Sequence, residues 1–142
     1  MENTERKRIE EELRKSEEQF RGAFETSLAG MALHSIDGAY QQVNQTFCSI
    51  VGYSESELLQ MNWRDLTPAD DVQRIEALNE QVTTGVLEKF VIEKPYVHKD
   101  GHVVWARIAS AQLRNEDGVP QYVLVQIHDI SDKKQVEKEI EA

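Results

Sequence analysis

The spacing of hydrophobic and polar residues changes along this chain, and each change predicts a different element. Thr4 to Gln19, TERKRIEEELRKSEEQ, lacks Gly and Pro and is dense in strong helix formers. It also offers oppositely charged i,i+4 pairs, Glu10 with Arg14 and Glu11 with Lys15. A long exposed helix is expected. Its sparse apolar positions, Ile9, Leu13 and Phe20, fall along one narrow seam of the kind a partner helix covers. The alternative is a solvated helix that simply ends in the core at Phe20 and Phe24.

From Gly30 the period shortens to that of strands. Met31 to Ser35 and Tyr40 to Val43, joined through Asp37-Gly38, read as a hairpin. Asn44 can cap a short helix through Ile50 that Gly52 ends, and Ser54 to Glu57 has the S-x-x-E spacing of a capping box. Thr67-Pro68-Ala69-Asp70 offers an N-cap, a first-turn proline and an acid at the positive helix end. Val72, Ile75, Leu78 and Val82 follow at helical spacing, with Gly85 beyond. Three strands close the pattern: Leu87 to His98, Val103 to Leu113 and Gln121 to Ile130, separated by Asp-Gly turns. Pro95 cannot donate to a ladder, so the first of these strands is expected at a sheet edge. The order β-β-α-α-α-β-β-β defines an α+β domain.

Length and charge narrow the function. With 142 residues, 39% of them hydrophobic, the chain can bury one core but not two. The expected division is a linker helix at 1–19, a core domain at 20–130 and the start of a second linker helix at 131–142. Acidic residues outnumber basic ones by 26 to 16, giving a formal charge of -10, which repels phosphate backbones and anionic bilayers. Nucleic acid and membrane insertion are therefore poor readings. No apolar run suits a membrane span or a signal peptide, so a soluble, cytoplasmic piece is expected. Cys48 is the only cysteine, which rules out an internal disulfide and a thiolate metal cluster. Asn44-Gln45-Thr46 fits the N-glycosylation pattern, but without a secretory signal it reads as a helix cap.

Catalytic chemistry finds no support. His34, His98 and His128 fall on or beside predicted strands and His102 follows a turn, with no H-E-x-x-H pair or Cys/His cluster among them. Structural or surface roles are expected, with no metal site. There is no G-x-S-x-G elbow, P-loop or dinucleotide fingerprint. Asp70 and Asp71 are adjacent at a helix start, where they favour the dipole without sharing a substrate. The chain reads as a non-enzyme.

The segments Gly30 onward with Asp37-Gly38, NQTFCSIVGYSESEL (Asn44 to Leu58), TPADD (Thr67 to Asp71), KDGHVVW (Lys99 to Trp105) and HDIS (His128 to Ser131) resemble, in order and spacing, the PAS family. The resemblance covers nearly the whole chain. It implies a five-stranded antiparallel sheet in order 2-1-5-4-3, with helices over one face and a pocket that in many relatives holds a small ligand. Strand alternation in that fold would turn Ile92, Tyr96, Ala106, Ile108, Val125 and Ile127 toward the helices. Together with Trp63, Leu66, Ile75 and Leu78 they form the candidate pocket lining, or else simply fill the core. Trp105 and Arg107 would face the other side of the sheet, with the N-terminal helix or a second subunit as the expected cover for Trp105.

The resemblance also bears on cofactors. Where the flavin-binding LOV branch carries Asn-Cys-Arg, this chain has Asn62-Trp63-Arg64, and Cys48 sits beside Phe47, Ile50 and Val51, so LOV-type adduct chemistry is not expected. The long helix that carries the axial histidine in haem-binding relatives has none between Asp70 and Thr84, which argues against haem so ligated. Noncovalent flavin, a small apolar metabolite or an empty packed core remain open. Independently of the family, SDKKQVEKEI (Ser131 to Ile140) repeats the chemistry of TERKRIEEEL (Thr4 to Leu13), as a domain-plus-connector repeat would. The implied parent is a tandem-PAS signalling protein of the histidine kinase or cyclic-di-GMP enzyme type. The chain is expected to be a sensory relay, a homodimer flanked by further PAS and output domains, with Asp129, Ile130 and Ser131 handing the signal to the exit helix. A ligand-free dimerisation and spacing module is the alternative.

Overall fold

A computed structural model describes residues 2–141. The elements are α1 (Glu2–Thr26), β1 (Gly30–Ser35), β2 (Tyr40–Val43), α2 (Gln45–Val51), α3 (Glu55–Leu58), a tight helical turn at Trp63–Leu66, α4 (Ala69–Thr83), β3 (Lys89–Val97), β4 (Val103–Arg114), β5 (Pro120–Asp129) and α5 (Ser131–Glu141). The strands form one antiparallel sheet in the order β2-β1-β5-β4-β3. The proline-containing strand β3 lies at an edge, with Pro95 opposite Trp105.

Local chemistry accounts for the turns and caps. Asn44 caps α2 by accepting from Phe47 N, and Gly52 ends that helix in a left-handed conformation (φ 79°). Ser54 and Glu57 form the reciprocal capping box of α3. Gly38 turns the β1–β2 hairpin at φ 101°, and an added Cβ there would meet Asn62 Oδ1 at 2.5 Å. Asn62 itself caps the Trp63–Leu66 turn, an element the sequence pattern did not reveal.

Asn44 is the polar centre of the fold. Fully buried, its Oδ1 accepts from Met31 N and Phe47 N at 2.9 Å each, while its Nδ2 donates to Phe24 O at 2.8 Å and Ala29 O at 3.1 Å. One side chain thus ties the end of α1, the start of β1 and the start of α2 together.

Helix α1 runs unbroken through the buried Phe24 to Thr26. Its charge pairs differ from those expected: Arg6 meets Glu10, and Arg14 bonds both Glu11 and Glu18. The guanidinium fork reaches one turn in each direction, which leaves Lys15 out. Ile9, Leu13 and Phe20 stand 55%, 59% and 46% exposed, an apolar seam that this single chain does not cover.

Candidate functional site

The inner face of the sheet is set by strand alternation: Ala32 and His34 on β1, Val123, Val125 and Ile127 on β5, Ala106, Ile108 and Ser110 on β4, and Phe90, Ile92, Lys94 and Tyr96 on β3. Between this face and the helices lies a cavity of about 20 Å³, sized for water rather than for a ring system. Five of the expected lining residues reach it, namely Trp63, Ile75, Tyr96, Ile108 and Val125. The other five do not. Leu66, Ala106 and Ile127 are fully buried elsewhere in the core, and Leu78 and Ile92 pack against it half-buried. Lys94, His34, Tyr40, Asn79 and Ser110 supply polar wall atoms that the sequence reading did not assign.

Lys94 is the anomaly, only 2% exposed on an apolar face. Its Nζ donates to Thr67 Oγ1 at 2.7 Å and lies 4.1 Å from the Tyr96 ring centroid and 5.6 Å from that of Trp63. Burial pushes this ammonium down to about 7, against the pull of Asp71 on α4 and with the repulsion of Arg74. The arrangement also corrects the expected start of α4. Thr67 does not cap it; its hydroxyl donates inward to Trp63 O at 2.9 Å, and Pro68 takes the cap position without a side-chain bond. The demand of Lys94 for an acceptor explains why that hydroxyl turns inward. His34 meets Ser35 O through Nδ1 at 2.8 Å, and burial lowers its basicity. Burial likewise raises the Tyr40 and Tyr96 phenols, which stay neutral.

Cys48 is buried in α2 and does not border the cavity, and burial raises its thiol above the usual range. It is placed as a small core residue. The histidines are less dispersed than their sequence positions implied. At the β3–β4 turn, His98, Asp100 and His102 bring ring nitrogens and a carboxylate oxygen within 4.8 Å of one another. The two rings stack at 4.4 Å between centroids, and Asp100 N donates to His98 Nδ1 at 3.1 Å, so turn hydrogen bonds already engage the group. Spacing of two residues across an Asp-Gly turn was the signal for this convergence.

The exit from the sheet is held on three sides. Ile130 N donates to Trp105 O at 2.8 Å, Trp105 N donates to Ser131 Oγ at 3.3 Å, and Ser131 N donates to Asp129 Oδ1 at 2.9 Å. Ser131 therefore serves β4 rather than capping α5; the carboxylate of Asp129 takes the first helical N–H. Farther along α5, Lys133 and Lys134 both bind Glu93, at 3.0 and 2.6 Å, and Lys134 lies 5.0 Å from the Trp105 ring centroid. Within the chain, Lys134 of the exit helix rather than the N-terminal helix lies over Trp105, which stays half-buried. The two lysines, Lys134 foremost, hold the Glu93 carboxyl below the usual range. Glu93 and Lys94 are consecutive on β3 and face opposite ways, one toward the exit helix and one toward the cavity.

A helix-roofed cavity on an antiparallel sheet, with the exit helix anchored to the far face of the same strands, defines an α+β domain in which core and terminus share a wall. The PAS domain family model matches residues 28–132, and the chain belongs to that family. It is 37% identical over 134 residues, 94% of its length, to the probable diguanylate cyclase DgcE of Escherichia coli strain K12, covering 12% of that protein. It is 30% identical over 124 residues, 87% of its length, to the sensor histidine kinase TmoS of Ectopseudomonas mendocina, covering 13% of that protein. The chain spans about an eighth of the length of these curated relatives. Among solved structures, the PAS domain of a Colwellia psychrerythraea protein superimposes with a TM-score of 0.75 at 21% identity, covering 81% of this chain and 97% of that one. A light-oxygen-voltage domain solved with a flavin analogue gives 0.68 at 23% identity, covering 87% and 94%. Among the described residues no helix is long and apolar enough to cross a membrane.

Proposed function

We propose that this chain is a cytoplasmic sensory relay without catalytic activity of its own, which couples the occupancy of the Lys94 cavity to the direction of α5. The observation that carries the proposal is the back-to-back placement of Lys94 and Glu93 on one edge strand. A ligand that displaces β3 at Lys94 displaces the anchor of Lys133 and Lys134 with it. In a parent of the diguanylate cyclase or histidine kinase type, α5 would pass the change to an output domain. The exposed seam of Ile9, Leu13 and Phe20 would pair with a second copy and hold two exit helices side by side. The small cavity favours a second reading, a ligand-free dimerisation and spacing module. It also disfavours noncovalent flavin unless the core opens by several side chains.

Asp129 tests the relay. Losing its bond to Ser131 N is expected to cost about 0.5–2 kcal/mol, the range for a lost cap. Regulatory couplings are themselves only about 1–3 kcal/mol, so Asp129→Ala should leave the domain folded and alter output regulation in the intact parent. A melting curve beside an output assay checks both; unchanged regulation in a folded mutant removes the junction from the mechanism. Sedimentation of the chain at micromolar concentration tests the seam, and a monomer unaffected by Leu13→Glu would remove the pairing.

A further inference from the structure

We propose that the cavity takes a short monocarboxylate, with Lys94 as its counter-ion and the Trp63 and Tyr96 rings as its walls. This rests on the reading of the cavity as the relay's ligand site and names the ligand class. A protonated lysine offers three N–H groups, and Lys94 makes one hydrogen bond, to Thr67 Oγ1. Its remaining donor capacity faces aromatic rings and the cavity, where a carboxylate oxygen would complete it. Thr67 cannot add neutralising charge, and its own proton is committed to Trp63 O.

Charge fixes the class; the cavity of about 20 Å³ holds only a water-sized group as it stands, so an acid enters by displacing the side chains it shares with the neighbouring cleft, His34, Trp63 and Asn79. One buried cation matches one negative charge. A second charge would find no partner, since Arg64 at the mouth already bonds Glu76 at 2.6 Å. Access is provided by a solvent-open cleft beside α4 that shares His34, Trp63 and Asn79 with the cavity. A two- or three-carbon acid could seat its carboxylate at Lys94 and leave its alkyl end toward this cleft.

The two tryptophans of the chain make the test internal. Trp63 borders the cavity, and Trp105 lies on the opposite sheet face at the exit junction. Their indole N–H resonances are followed while propionate is added, with propionamide and nitrate at matched ionic strength as comparisons. Saturable movement of Trp63 with propionate, at least tenfold weaker in Lys94→Met and absent with propionamide, is the expected result. Equal response to the amide, or preference for nitrate, overturns the carboxylate assignment, as does no response of Trp63 to propionate. Movement of Trp63 without Trp105 would keep the ligand class and contradict the relay on which it rests.

Discussion

Lys94→Met is expected to stabilise the domain at neutral and acidic pH, an unusual outcome for losing a buried hydrogen-bonded side chain. In the unfolded chain the lysine holds its proton up to about pH 10.5, whereas in the folded state burial brings this down to about 7. Above pH 10.5 both states are neutral and burial carries no ionic cost. As pH falls through that range the unfolded chain takes up the proton first, so folding stability declines, and below about pH 7 the full cost is present. At about 1.4 kcal/mol per pH unit the difference amounts to roughly 3–5 kcal/mol. Methionine keeps the length of the side chain without the charge, and Thr67 retains its bond to Trp63 O. Urea unfolding of both proteins from pH 6 to pH 10 checks the account: the mutant's advantage is greatest at pH 6 and shrinks as pH rises. A mutant less stable than the wild type at pH 6 would show that Lys94 is fully compensated where it lies.

Asn44→Ala should produce the largest loss. It removes a side chain that answers two backbone N–H groups and two carbonyls in the interior, from Met31, Phe47, Phe24 and Ala29. Each orphaned buried group costs about 1–3 kcal/mol, so the four together are expected to cost at least about 4 kcal/mol, a large part of the roughly 5–15 kcal/mol available to such a domain. Asn44→Asp tests the geometry: it keeps the acceptor but turns a second oxygen toward the Phe24 and Ala29 carbonyls, and it should not rescue. Equilibrium unfolding measures both. A loss below 1 kcal/mol for either would show that the four bonds are not what holds α1 to the core.

The sequence pattern carried the fold well because its signals are local and redundant. Asn44 and Ser54 lie where backbone donors need side-chain acceptors, and Pro95 alone placed β3 at an edge. The candidate site was legible only in part. The alternation that assigns Ile92 and Tyr96 to the inner face assigns Lys94 there too, yet Lys94 was not among the expected lining residues, and a buried lysine is rare. Thr67 was misplaced as a cap because its partner, Lys94, is 27 residues away. The cover of Trp105 likewise depends on Lys134 crossing back over β4, a tertiary contact that no local pattern encodes. His98, Asp100 and His102 were read singly, whereas a turn folds such near neighbours together.

In the proposed relay, Lys94 and the exit helix are mechanically linked through Glu93. Backbone amide spectra of the wild type, Lys94→Met and the same change combined with Glu93→Gln test it most directly. Lys94→Met alone is expected to shift the amide resonances of Lys133 to Glu137, and this shift should largely disappear when Glu93→Gln weakens the anchor. Perturbations that stop within β3 and β4 while the α5 amides stay in place would contradict it.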